Sequence, residues 1–482
     1  MDQSKPATVT ARIRELIHTG TLREGDPLPS TRALAVELGV ARGTVVAAYE
    51  QLDGEGYIRT RHGAVARVVA AAAAPVRTPP ARDRGHPPAP RVLIDATPGI
   101  PAVTTISPRD WRAAWRAAAD LPLRNETSDA EGSRSLREQL AAQLALSRGF
   151  APGPERILVT AGTSEGLSLV TEALRTRAGR APRIAVEDPG YRGGRRAMTS
   201  SGGELVPVPV GPEGLDLTAL REGAEVDAVV VTPTHQYPLG VVMPVARRRE
   251  LLVWAARAGV VVVEDDYDSE FRHRGSPMPA LAALDAEGVV VHLGGFSKIL
   301  DPRLRCAYAV LPAASGARPG IAAAIIEARR ARGPVVAEPA QEALAHLLRT
   351  GALRRHLGRV RRDYAHKRER IATRLAAVPG IRVAALSGGL HVVVTWPAAP
   401  AGVPAAVSAG IPAAVLGSPT AADVVALLAE RGIRVAELSR YAVDPHRAAT
   451  LNGVVLGYGA PSPAELDRVL DALLEQLGGA AR

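Results

Sequence analysis

Residues 261–271, VVVEDDYDSEF, and residues 289–305, VVVHLGGFSKILDPRLR, decide how this chain folds. Each opens on consecutive valines and closes on polar residues. Similar runs stand at Ile157 to Val159 and at Ala228 to Val231, and Ala/Leu/Arg-rich helical segments separate them. Continuous β-branched runs suit strands buried on both faces, and their alternation with helices predicts a mainly parallel, doubly wound sheet. Such sheets bind ligands at the carboxyl ends of their strands. The acidic pair that follows Val263 and the Lys298 that follows Val291 both fall at that edge.

Beyond this sheet, from about Leu353 to the end, long helices mix with short strands near Val392 to Thr395 and Val454 to Leu456. That pattern predicts a smaller α+β domain with the Pro/Ala-rich stretch 397–417 looped out of it. Toward the N-terminus, residues 69–91 contain AAAAPVRTPPARDRGHPPAPR, a proline-stiffened linker with little to form a core. The expected layout is therefore 1–68 as a small N-terminal domain, 69–91 as linker, 92–352 as the α/β large domain and 353–482 as the small one. No internal repeat is found.

Residues 28–63, LPSTRALAVELGVARGTVVAAYEQLDGEGYIRTRHG, follow a helix whose apolar face is Val9, Ile13, Leu16 and Ile17 and which stops at Gly20. The stretch predicts a helix from Thr31 to Leu38, a turn at Gly39 and a second helix from Arg42 to Leu52. Leu34, Ala35, Leu38, Val45, Ala48, Tyr49 and Leu52 supply the shared core of a helix-turn-helix. Tyr57 to Arg67, turning at His62 and Gly63, supplies a wing. The second helix would enter a DNA major groove with Arg42 and Thr44 foremost. A small protein-binding helical domain with solvated arginines is the plainer alternative, although turn, helices and wing all occur in register.

Composition bounds these readings. A chain of 482 residues exceeds one ordinary core. Its formal charge of +10 suits a nucleic-acid partner, yet residues 1–67 hold nine Lys/Arg against eight Asp/Glu, so charge only supports that partner. The single cysteine, Cys306, rules out an intrachain disulfide and a thiolate metal cluster, and suits a reducing cytoplasm. The N-terminus does not read as a secretory signal. Prolines at 397, 400, 404 and 412 argue against a membrane span in the uncharged stretch Trp396 to Pro419.

The N-terminal segment resembles the GntR-family winged helix-turn-helix, which implies that Arg32, Arg42, Thr44 and His62 contact a double-stranded DNA operator. Ala41 and Gly43 stand where Ser and Asn are usual, so the recognition helix lacks a capping side chain. At the sheet edge, a Schiff-base lysine, a carboxylate for a pyridine nitrogen and an arginine for a phosphate are the parts that pyridoxal phosphate requires. Lys298 stands 33 residues after Asp265, a spacing similar to that of fold-type I aminotransferases. EDDYDSEF and TPTHQYPLG resemble the MocR/GabR branch in particular.

That resemblance spans about residues 8 to 475. It implies Lys298 as the cofactor lysine, Asp265 as partner of the pyridine nitrogen, Tyr267 as donor to the ring hydroxyl and Tyr191 as the stacking aromatic. Arg305, with Thr163 and Ser164 at a helix N-terminus, is implied for the phosphate. Singly, each has a dull reading: a surface lysine, a strand-end cap, core packing, half of a salt bridge. Several positions depart from the pattern. Gly295 and Thr127 replace phosphate ligands, Glu165 replaces a neutral residue, and Ala460 in LGYGAPS replaces a carboxylate-binding arginine, for which Arg192, Arg195 or Arg196 could substitute. The expected protein is a cytoplasmic, head-to-tail homodimeric transcriptional regulator. Its effector is an amine, an amino acid or pyridoxal phosphate itself, and it has little or no multiple-turnover transamination. An active aminotransferase with a vestigial DNA-binding module and a cofactor-free DNA binder are the alternatives.

Overall fold

Val9, Ile13 and Ile17 recur at helical spacing and are each at most 4% exposed, so helix α1 (Lys5–His18) buries one stripe. It packs beside α2 (Thr31–Leu38) and α3 (Arg42–Gly54) over Leu34, Ala35, Val45, Ala48, Tyr49 and Leu52. Leu38, expected in this core, and Leu16, expected on the apolar face of α1, are only half-buried. Ser30 caps α2 by accepting from the Ala33 amide at 3.1 Å, and Gly39 ends it in the left-handed region at φ 63°. As its sequence implies, α3 starts at Ala41 with no side-chain cap, and it runs two residues past Leu52. Strands β1 (Ile58–Arg59) and β2 (Arg67–Val68) pair antiparallel to form the wing stem.

The computed structural model describes residues 5–61, 64–69, 93–271, 278–313, 320–376, 378–397 and 419–478. His62 and Gly63, most of the expected linker and nearly all of 397–417 lie outside the described residues. The chain divides into two units, Met1–Ala89 and Pro90–Arg482.

The second unit opens with β3 (Ile94–Asp95) and is centred on an eight-stranded sheet. Its strands are β4 (Ile157–Thr160), β5 (Arg183–Asp188), β6 (Glu204–Gly211), β7 (Gly214–Leu215), β8 (Ala228–Val231), β9 (Val261–Asp266), β10 (Val290–Gly295) and β11 (Ala307–Val310). They lie in the order β4-β11-β10-β9-β8-β5-β6-β7. From β10 to β6 the neighbours are parallel, whereas β11 runs antiparallel to both β10 and β4. Alternation along β9 builds both faces: Val261 and Val263 pack with Leu167 and Leu174 of one helix, while Val262 packs with Leu251 and Ala255 of another.

After the 25-residue helix Ala352–Ala376 comes a second sheet. Strands β12 (Arg382–Ala384), β13 (His391–Thr395), β15 (Ala436–Glu437) and β16 (Gly453–Gly457) are antiparallel in the order β12-β13-β16-β15. Strand β14 (Ile433–Arg434) pairs in parallel with β3, so the first residues of this unit are stitched to its last hundred. Among the described residues, no helix is long and apolar enough to cross a membrane.

Candidate cofactor pocket and DNA-reading surface

In the N-terminal unit, Arg32 and Arg42 are exposed and Thr44 is half-buried. All three lie in the opening turns of α2 and α3, where unpaired backbone amides point outward. The Arg42 Nε donates to Thr31 Oγ1 at 3.5 Å, which sets the two helix starts side by side. Tyr49 is buried and ties the pair down by donating to the Pro29 carbonyl at 2.8 Å. His62, the fourth candidate, lies outside the described residues.

At the carboxyl end of β9 the two-residue period sorts three consecutive acids. Glu264 accepts from the Leu281 and Ala282 amides and sits 2.8 Å from His292 Nδ1. Asp266 pairs with Arg148 at 2.7 Å. Asp265 points to the opposite face, is 4% exposed, and its Oδ1 has no hydrogen-bond partner. Burial, reinforced by the nearby Asp266 and Glu187 charges, pushes its carboxyl up to about 7, while Lys298 pulls the other way.

Lys298 follows β10, and its Nζ donates to the Gly99 carbonyl at 2.8 Å. Burial lowers its pKa, against the opposing influence of Asp265 and Asp268. The Tyr267 hydroxyl lies 3.0 Å from His235 Nδ1. Tyr191 is 39% exposed and bonds Ser164 Oγ at 3.2 Å. That serine and Thr163 open the helix Thr163–Ala178, which follows Gly162 at φ 130°. A side chain at 162 would start 3.2 Å from the Arg305 guanidinium, so this glycine lets the arginine reach the helix N-terminus. The structure thus gathers Lys298, Asp265, Tyr267, Tyr191, Thr163, Ser164 and Arg305 around one sheet edge.

The departures have local reasons. The Glu165 carboxylate turns to the buried Arg329 and to Arg332, and accepts from the Ala161 amide at 3.1 Å. Its charge is paired there with two arginines. Any side chain at Gly295 would begin 3.1 Å from Ala307 Cβ on the antiparallel neighbour β11. Thr127 and Ala460 are exposed. Of the three candidate replacement arginines, Arg195 is committed to the Gly190 and Tyr441 carbonyls at 2.8 and 2.7 Å. Arg192 is half-buried and Arg196 exposed.

Sequence reading left several neighbours without a role. Glu187 accepts from the Thr232 amide and hydroxyl and from Gln236, and burial raises its carboxyl to about 7. Tyr237 meets Tyr191, Tyr267 and Tyr441 edge-on at 5.3 to 6.2 Å. His235 and His391 lie behind it with ring centroids 5.3 Å apart. The signal was present in TPTHQYPLG, whose polar residues cluster just past β8 at the ligand edge. Their partners Tyr441 and His391 come from distant segments that no local pattern connects.

Asp265 supplies the test of fit for the cofactor that such a pocket implies. A buried carboxylate oxygen without a partner, near a lysine and with an anion-favouring helix terminus in the same pocket, matches a protonated ring nitrogen, a carbonyl and a phosphate in one molecule. Two family models match the chain: "Bacterial regulatory proteins, gntR family" over residues 6–68 and "Aminotransferase class I and II" over residues 101–472. The "HTH-type pyridoxine biosynthesis transcriptional regulator PdxR" of Corynebacterium glutamicum is 37% identical, over 97% of this chain and 94% of its own length. The chain belongs to the MocR/GabR branch of the GntR-type transcriptional regulators. A second member, the "Probable rhizopine catabolism regulatory protein MocR" of Rhizobium meliloti, is 32% identical over 74% of each chain. In fold, the aminotransferase-like part of this regulator is similar to the Pyrococcus horikoshii kynurenine aminotransferase, with a TM-score of 0.66 at 24% identity over 81% of this chain and 92% of that one. The family's GntR-type domain makes this a DNA-binding protein.

Proposed function

We propose that this regulator reads a DNA operator through Arg32, Arg42, Thr44 and His62, and that pyridoxal phosphate held at the sheet edge makes that reading responsive to a small molecule. The observation that carries the cofactor assignment is the buried, unpartnered Asp265 Oδ1 in the same pocket as Lys298. When bound, the cofactor supplies a carbonyl that condenses reversibly with primary amines. Asp265 would hold the proton on its ring nitrogen, Tyr267 would donate to its ring hydroxyl and Tyr191 would cover its face. Arg305 and the amides of Thr163 and Ser164 would hold its phosphate. Lys298, its pKa lowered by burial, would be the amine that meets the carbonyl.

The effector is an amine, an amino acid or pyridoxal phosphate itself, and it shifts a cytoplasmic head-to-tail homodimer between states of different operator affinity. Ala460 favours sensing over catalysis. Without a bidentate arginine on its carboxylate, a bound amino acid is poorly oriented, and a misplacement of about 1 Å costs roughly a hundredfold in rate. Absorbance spectra of the full chain with and without added pyridoxal phosphate test the cofactor reading. A cofactor band is expected in the wild type and is lost in Lys298→Ala; borohydride trapping on a peptide without Lys298 would refute the assignment. Incubation with a panel of amino acids and an oxoacid acceptor tests the sensor reading, which fails if any of them turns over at about 1 per second or faster.

A further inference from the structure

Three buried side chains from separate stretches meet beside the pocket: His235 after β8, Asp268 after β9, and His391 at the start of β13. His391 Nε2 lies 2.9 Å from the Pro238 carbonyl, which can only accept, so the proton is on Nε2 and Nδ1 presents a lone pair. His235 Nδ1 and Asp268 Oδ2 face each other at 2.8 Å with one proton between them. His391 Nδ1 is buried without a hydrogen-bond partner among the described residues. An unpaired buried acceptor is costly and calls for a cationic or donor group.

One ligand atom from each of the three residues lies within 4.8 Å of the others. A cavity of about 130 Å³, lined in part by His235, Asp268, Ser269 and Gly389, borders two of the three residues and has room for an ion with a water. We propose that His235, His391 and Asp268 form a binding site for a divalent transition-metal ion, with zinc the best match. Two neutral imidazoles and one carboxylate with an open fourth position suit zinc, whereas magnesium and calcium select oxygen-only shells. His391 already has, in the Pro238 carbonyl, the partner that orients a ligating histidine, and the ion would take the place of the proton between His235 Nδ1 and Asp268 Oδ2. Closing on an ion at about 2.0–2.2 Å asks the ligand atoms to approach by roughly 1 Å, within reach of small side-chain rotations. Because His235 also contacts Tyr267, a metal would fix the ring that braces this side of the pocket.

The site stands apart from the cofactor reading and is measured in protein stripped of pyridoxal phosphate. Full-length protein is treated with chelator, dialysed against Zn²⁺ or Co²⁺, desalted and assayed for bound metal. One ion per chain and a tetrahedral Co²⁺ spectrum are expected. Retention should fall at least about tenfold in His235→Gln and His391→Gln, and stay unchanged in His446→Gln, which alters an exposed histidine outside the cluster. A folded wild type that holds no ion, or a folded double variant that holds as much as wild type, overturns the site. Should the variants fail to fold, the wild-type Co²⁺ spectrum decides, since six-coordinate, oxygen-only ligation also overturns it.

Discussion

The N-terminal unit and the carboxyl edge of the large sheet solve opposite problems. The first buries an almost wholly apolar core, Thr10 being its one buried polar side chain among the described residues, and displays Arg32 and Arg42 to solvent. The second hides its chemistry: Glu187, Asp188, Glu264, Asp265, Asp266, Asp268 and His292 are all buried within a few strands. A surface that reads a polyanion needs charges left in water, where they cost nothing to keep ionised. A pocket that grips a small charged molecule needs its charges dry, so each must find a partner or have its pKa moved. Glu264 and Asp266 have partners; Asp265 has had its pKa moved.

The contrast predicts unequal responses to pH. Asp265 and Glu187 both have carboxyls raised to about 7, well above their ordinary range near 4. For a raised folded-state pKa, the stabilising contribution is complete below the ordinary value and is lost as pH rises through the folded one. Melting of the cofactor-free protein should therefore show the second unit losing on the order of 1 kcal/mol per pH unit between about pH 5 and 7. The helix-turn-helix, whose one clear carboxyl shift is the exposed Glu55 held below its ordinary range by Arg14, should be nearly flat over that interval. Asp265→Asn should reduce the slope, and saturating pyridoxal phosphate should reduce it further, because a ring N–H favours the ionised carboxylate. An unchanged slope in Asp265→Asn would place the titration elsewhere.

On the exposed side, Arg42→Ala should weaken operator binding by about 1–3 kcal/mol at fixed salt and leave circular dichroism and cofactor absorbance unchanged. Undiminished affinity would remove Arg42 from the reading surface. The smallest effect concerns the bare start of α3. Ala41→Ser restores a capping oxygen and should stabilise that helix by roughly 0.5–1 kcal/mol, seen as slower hydrogen exchange of the first α3 amides in the full chain. No change there would mean that solvent or a neighbouring group already satisfies those amides.

The two regions were also unequally legible from sequence. Thr31 to Leu38 came out with its observed limits because cap, apolar stripe and Gly39 sit within a dozen residues. The parallel strands were equally clear from their valine runs, but the antiparallel direction of β11 was not, since AYAV carries no mark of which way it runs. At the pocket, spacing and resemblance drew attention to seven residues that do converge. The pairing of Glu165 was not legible because its partner Arg329 lies more than 160 residues away, and charge alone cannot reveal a distant counterion. His235 and His391 went unassigned for the same reason. The pairing of β3 with β14 was equally hidden, each strand being only two residues long.

That short pairing has a consequence for how the protein is made. Every core contact of the helix-turn-helix lies between Val9 and Val68, so its partners have all been synthesised within about the first seventh of the chain. Ile94 must instead wait for Ile433, and the same join places Arg434 3.4 Å from Asp95, 339 positions away. At about 5–20 residues per second, the interval between those two strands is roughly 20–70 seconds. During that time the nascent chain carries a DNA reader with no finished sensor to govern it. Translation thus imposes an order in which the capacity to find DNA precedes the capacity to be told when to let go.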